Sequence, residues 1–352
     1  MLKIGILDQS TITEGSGPKE ALQATTRLAV EADKLGYSRF WVSEHHSSKA
    51  LAHSSPEVLI AHLAANTSRI RLGSGGIMLP HYSAYKVAEN FRLLEALYPG
   101  RIDLGVGRAP GGRPLSTRAL QEGRYHSADP YPQQIIDLIA YLNDAVPGDH
   151  RFAGLSVSPS TDTTPELWLL GSSGGTARLA AQTGASYAFA QFFGTPGGKE
   201  ATNMYHETFE PSLMSPTPKS LAAITVVCAE TQEEAERLAS SSDLFFLAMY
   251  KGMELPYLPS VQTAADYPYT PYDREQIAAT RAYRVVGTPD QVKARLLELA
   301  EEYRTDELMI VSSVHDFDAR LKSIRLVAEA FGLNEEQETA AAATAEQTEV
   351  RS

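Results

Sequence analysis

Cysteine is almost absent. One residue, Cys228, in 352 excludes an internal disulfide and any cysteine-rich metal site. Placed in the apolar run LAAITVVCAE, it reads as a buried, inert thiol. No apolar run approaches the roughly 20 residues needed to cross a bilayer, and MLKIGILDQS turns polar too early for a signal peptide. A cytoplasmic protein is therefore expected, with no membrane contact. Positive charge is also scarce, 31 Lys and Arg against 43 Asp and Glu for a formal charge of −12. Such a balance excludes a general affinity for nucleic acid or anionic membranes. Part of it is local: residues 334–352 hold five Glu and one Arg, leaving about −8 for the rest. Neither HxH nor HExxH occurs, and no lysine follows the glycines of GSSGGT, so a zinc protease site and a Walker loop are both excluded.

What is present is a rhythm. Short Val/Ile/Leu-rich runs at 3–8, 39–44, 70–75, 101–107, 166–171, 186–191, 222–229 and 307–312 alternate with segments of helical period. The helices fall at 19–35, 57–66, 84–97, 132–143, 176–182, 200–213, 232–250 and 289–303, with a last one at 318–331. Eight strand–helix units predict an α/β fold, a (β/α)₈ TIM barrel with loop insertions at its C-terminal face, forming one domain over residues 1–333. Residues 251–280, dense in Pro and Tyr, fit no regular element and form either a lid over that face or plain surface. Residues 334–352 lack an apolar face and read as a disordered acidic tail.

Loops after the strands carry the chemistry of such barrels, and four adjoining strands end in polar or glycine-rich segments. In LWLLGSSGGTARLAAQTG, an apolar strand enters Gly171, Ser172, Ser173, Gly174 and Gly175, and a helix starts near Thr176. Hydroxyls and bare amides at a helix N-terminus suit a phosphate, although an N-capped helix after a tight turn looks the same. Arg108 follows the fourth strand among Gly105, Gly107 and Gly111; it either reaches the same phosphate or stands in a surface loop. Gly75 and Gly76, at the end of the third strand, either admit a flat ligand to the backbone or mark a bend. After the second strand comes Glu44-His45-His46. Neighbours on an extended chain point to opposite sides, so the two histidines do not share a metal, and one of them faces the pocket.

The segments WVSEHHSSKALAHSSPEVLIAHLAANTSRIRLGSGGIMLPHYSAYKVAENFRLLEALYPGRIDLGVGRAPGG, LWLLGSSGGTARLAAQTGASYAFAQFF and YRVVGTPDQVKARL, in this order, resemble the bacterial luciferase-like monooxygenases. The resemblance covers the chain from near the first strand to the last helix, apart from the Pro/Tyr segment. It implies a barrel holding reduced FMN, supplied by a separate flavin reductase. O₂ would add at the flavin C4a, and the (hydro)peroxide formed would pass one oxygen atom to a small hydrophobic organic substrate. Carried over by position, His45 is the active-site histidine beside the flavin. Gly75 and Gly76 lie along its ring, where luciferases join two alanines by a cis peptide, a bond that glycines also permit. Arg108 pairs with the phosphate; Ser173 and Thr176 bind it by hydroxyl, and Ser172 and Gly174 by backbone. Gly107 stands where luciferases have a reactive cysteine, which points away from light emission toward the branch that includes tailoring enzymes of aromatic polyketides in antibiotic biosynthesis.

A homodimer follows from the same resemblance. Gln9, Met78, Tyr125 and Phe192 are the candidate substrate-pocket residues. Two alternatives stand beside this reading: an F420-dependent reductase or dehydrogenase of the same fold, and a flavin-binding protein without catalysis.

Overall fold

The structure, a computed structural model, describes residues 2–122 and 129–333. Its elements are β1 (Lys3–Asp8), α1 (Pro18–Leu35), β2 (Arg39–Val42), α2 (Pro56–Ala65), β3 (Arg71–Met78), α3 (Ala84–Leu97), β4 (Ile102–Gly107), α4 (Pro114–Leu120) and α5 (Tyr131–Leu142). There follow β5 (Glu166–Gly171), α6 (Gly174–Thr183), β6 (Ser186–Ala190), α7 (Gly198–Glu207), β7 (Ser220–Cys228), α8 (Gln232–Tyr250), α9 (Val261–Asp266) and α10 (Pro271–Arg281). The chain closes with β8 (Arg284–Gly287), α11 (Pro289–Glu302), β9 (Glu307–Val311) and α12 (Phe317–Phe331).

Strands β1 to β7 pair in sequence, all parallel, and β9 bridges β7 back to β1. Eight strands thus close a (β/α)₈ barrel. Eight apolar side chains, including Leu7, Trp41, Trp168, Leu221 and Met309, fill the barrel interior. The larger core lies between strands and helices, where Phe40, Leu72, Leu104, Ile224 and Ile310 are buried. Each such side chain contributes about 1.5–3 kcal/mol by leaving water. The floor is ionic. Arg39 bonds Asp103 at 2.7 Å and Glu307 at 2.6 Å, and Trp41 Nε1 donates to the same Asp103 carboxylate at 2.8 Å. Strands β3 and β4 approach so closely that a Cβ on Gly105 would stand 2.1 Å from the Ser74 carbonyl oxygen.

The structure departs from the sequence reading in several places, among them the short helix α4, which no expected helix covers. A ninth strand, β8, pairs with the outer half of β7, from Thr225 to Cys228, outside the closed barrel. Residues 251–280 are not irregular: they contain α9 and most of α10, started by Ser260 and Thr270, whose hydroxyls accept the Thr263 and Asp273 amides. The helix expected over 200–213 stops at Glu207. Gly75 and Gly76 lie inside β3, not past its end, where the pairing register with β4 shifts between Ser74 and Ile77. Among the described residues no helix is long and apolar enough to cross a membrane. Residues 334–352 and Tyr125 lie outside the described residues.

Candidate active site

A cavity of about 450 Å³ opens where the strands end in their C-terminal loops. It brings together His45, Gly75, Gly76, Gly107, Arg108, Ser172, Ser173 and Thr176, and also Gln9, Met78 and Phe192. Gly174 does not line it. A more open groove of about 690 Å³ between α1 and α12 gathers none of these residues.

One end of the cavity is built for an anion. Ser173 caps α6 in an extended conformation, yet its hydroxyl makes no capping bond, which leaves it and the first-turn amides available. A Cβ on Gly174 or Gly175 would meet nothing within 4 Å, so the approach to those amides is open. Arg108 is 61% exposed, and among the described residues its ion pair is with Asp129, at 3.4 Å. Helix dipole, free amides and a loosely held guanidinium together favour a phosphate.

The middle is flat and bare. The Gly75–Gly76 peptide is cis. A Cβ on Gly76 would come within 2.6 Å of the Gly105 carbonyl oxygen, so strand packing demands glycine there. Gly107 differs: a Cβ would meet only the Met78 side chain, at 3.4 Å, so the space beside it belongs to the cavity.

The EHH segment divides its work. His45 lines the cavity, whereas His46 turns away and its Nε2 lies 2.7 Å from Glu44 Oε1. Glu44 is fully buried. It also accepts the Tyr82 hydroxyl at 2.8 Å and the Met78 amide at 3.1 Å, tying the β2 loop to the end of β3. The His46 amide donates to the Gly111 carbonyl at 2.8 Å, which anchors the loop after β4. Burial holds the His45 imidazole below its ordinary pKa, and the neighbouring His53 and His46 add to the effect, while a backbone bond to Gly111 opposes it. His45 therefore meets the cavity as a neutral ring at pH 7. Burial also raises the Tyr82 hydroxyl well above its ordinary value, and the Glu44 charge adds to it.

Sequence reasoning missed Glu44 as a site residue. Its signal was a carboxylate beside two imidazoles at the end of an apolar run. Among the described residues no cluster of three or more His, Cys, Asp or Glu could hold a metal.

The family model for luciferase-like monooxygenases matches residues 2–306. The chain belongs to the luciferase-like monooxygenase family. YwcH of Bacillus subtilis (strain 168) is 52% identical over 94% of this chain and 99% of its own length. The N-acetyl-S-alkylcysteine monooxygenase of the same organism is 38% identical over 94% of this chain and 98% of its own. The crystal structure of apo-MsnO8, 41% identical, superposes with a TM-score of 0.87 over 95% of this chain and 99% of that one. More distant luciferase-like folds carry either cofactor. The oxygenating constituent of a 3,6-diketocamphane monooxygenase, from Pseudomonas putida, is in complex with FMN (19% identity, TM-score 0.68), and an F420-dependent secondary alcohol dehydrogenase holds an F420–acetone adduct (15%, 0.66). At those identities the likeness concerns the fold alone.

Proposed function

We propose that this luciferase-like protein is an FMN-dependent monooxygenase that receives reduced flavin from a separate reductase and oxygenates a hydrophobic organic substrate with O₂. The observation that carries the reading is one cavity lined together by the Ser172–Thr176 anion cradle with Arg108, the bare glycines Gly75, Gly76 and Gly107, and His45. The residues present fit the cofactor: Ser172, Ser173, Thr176 and Arg108 would hold the phosphate, and Gly75, Gly76 and Gly107 would lie along the ring. Bound reduced FMN supplies the two electrons that make O₂ reactive toward an organic substrate.

The chain's own groups do the rest. His45, neutral at pH 7, holds or gives up a proton at its ring nitrogen beside the flavin. Leu7, Trp41, Leu221 and Met309 form an apolar floor that excludes water. Phe192 and Phe193, 4.3 Å apart, stand on the cavity wall and favour a flat or apolar guest. An aromatic polyketide is one candidate of that kind, and an S-alkyl thioether, as in the name of the Bacillus relative, is another. A second copy of the chain is expected against α2 and α3, where Val58 (68% exposed), Leu93 (54%) and Leu97 (58%) face outward.

The test is anaerobic titration with reduced FMN and with reduced F420. Oxygen-dependent turnover of aromatics and thioethers follows, read by a mass gain of one oxygen atom. Binding of reduced F420 alone, with turnover that consumes no oxygen, defeats the proposal in favour of hydride transfer. Binding of flavin with no turnover of either class favours a non-catalytic flavin protein.

A further inference from the structure

Across the barrel from the anion cradle, the cavity wall carries two polar side chains that the protein itself leaves unused. Strand β1 stands four strands from β5 in either direction around the closed barrel. Strands β1 and β2 run parallel with Leu7 beside Trp41 and Asp8 beside Val42, and the ladder continues one rung further, where the Ser43 amide donates to the Asp8 carbonyl at 3.3 Å. Side chains alternate along a strand. Leu7 and Trp41 point into the barrel, and Asp8 and Val42 point out toward the helices, so Gln9 and Ser43 both turn inward again on strands roughly 4.8 Å apart. Both line the cavity. Ser43 is only 3% exposed, yet among the described residues neither its hydroxyl nor the Gln9 amide makes a hydrogen bond, and neither is sealed away from the cavity.

The charges nearest to this pair are already matched. Asp8 accepts Arg320 of α12 at 2.7 Å, and Glu44 accepts the Tyr82 hydroxyl at 2.8 Å and the Met78 amide at 3.1 Å. A guest therefore meets one amide and one hydroxyl, each able to donate and to accept, in a wall otherwise made of Leu7, Trp41, Leu221, Ala223 and Met309. Few polar groups on an apolar wall fix orientation. A plain hydrocarbon would cover both groups without pairing them, and an ionic head group would lie there without a counter-charge; each arrangement is unfavourable. A neutral oxygen function satisfies the pair.

We propose that Gln9 and Ser43 determine the specificity of this cavity by hydrogen-bonding a ketone, phenol or amide oxygen on an otherwise apolar substrate. The pair then holds that substrate in one orientation. Its use in directing oxygenation rests on the proposed flavin chemistry, whereas the preference for an oxygen-bearing guest does not.

The experiment compares two probes of similar shape, acetylnaphthalene and isopropylnaphthalene, bound to the full chain under anaerobic conditions with and without reduced FMN. In Gln9→Met, which nearly keeps the side-chain length, the affinity for the acetyl probe falls about tenfold while that for the isopropyl probe holds or rises. Ser43→Ala shows the same pattern at about threefold. With a carbon-13-labelled carbonyl, the infrared band of the bound acetyl probe lies below its position in hexane in the wild type and returns toward it in Gln9→Met. A merely structural role would not move that band. An unshifted wild-type band, no binding of the acetyl probe, or equal losses for both probes in the variants overturns the proposal. Weaker binding of reduced FMN in both variants with the band unmoved assigns the pair to the flavin and overturns it as well. The flavin-free titration reads the preference even if reduced FMN does not bind, so loss of the flavin reading and loss of this proposal are seen in separate measurements.

Discussion

Replacing Arg108 by Gln probes the phosphate end with little risk to the fold, because the side chain is 61% exposed and its ion pair with Asp129 is long, at 3.4 Å. Releasing that exposed pair to meet a phosphate costs about 0–1 kcal/mol. The charge-assisted bond gained in its place is worth ~1.5–3 kcal/mol, and solvent screening brings this to the lower end. The expected net loss in Arg108→Gln is about 0.5–1.5 kcal/mol, which is roughly twofold to tenfold in Kd. Fluorescence titration of reduced FMN under anaerobic conditions measures it. Reduced riboflavin, which lacks the phosphate, serves as the internal control and binds wild type and variant equally. Raising salt weakens wild-type FMN binding more than that of the variant, since a screened charge pair has been removed. Equal losses for FMN and riboflavin, or no loss for either, would refute the assignment of Arg108 to the phosphate.

His45→Ala is expected to abolish oxygen-dependent turnover while the Kd of reduced FMN stays within about threefold of wild type, a change under ~1 kcal/mol; unchanged turnover counts against the assigned role. Glu44→Gln leaves one of three donors facing an amide group and is expected to cost about 1–3 kcal/mol in urea unfolding, with an unchanged m-value. A variant as stable as wild type would show that Glu44 does not clamp β2 to β3. Burial alone would push the Asp8 carboxyl up, but the Arg320 charge and bonds from Thr25 and Arg320 outweigh it and hold Asp8 below its ordinary value. A carboxyl lowered on folding stabilises above its unfolded value of about 3.9, and that contribution is lost as pH falls through the folded value. Denaturation midpoints of the wild type should therefore drop from pH 5 to pH 3 more steeply than those of Asp8→Asn; parallel curves contradict the assignment.

The barrel was legible because its strands are apolar on both faces, as parallel sheets covered by helices must be, and recur between segments of helical period. β8 escaped because four residues, RVVG, pair only with the overhang of β7, and of these only Val285 and Gly287 are buried. α9 and α10 were hidden by the density of Pro and Tyr around them. Yet T-P-Y-D at Thr270–Asp273 is a capping box with proline in the first turn, a local signal that outranked composition. The placing of Gly75 and Gly76 inside β3 depends on the register shift against β4, and no single-strand pattern encodes a neighbour's register. In the site, the GSSGGT cradle and the opposed histidines follow from local geometry alone. Glu44 with Tyr82, and Asp8 with Arg320, join residues 38 and 312 positions apart, and only the closed barrel brings them together.

The two ends of the barrel treat charge in opposite ways. At the floor, Arg39 is buried between Asp103, Glu166 and Glu307, and Arg71 and Lys219 reach the same acids. Removing one partner there would strand a buried charge, so the network acts as a unit and closes the barrel from below. At the mouth, Arg108 is barely held, Ser173 makes no capping bond and His53 has no partner. Charge is satisfied within the network at the floor, and polar groups at the mouth are left open to a ligand. That division gives a physical reason to look for chemistry at the C-terminal face of this barrel, independent of any relative.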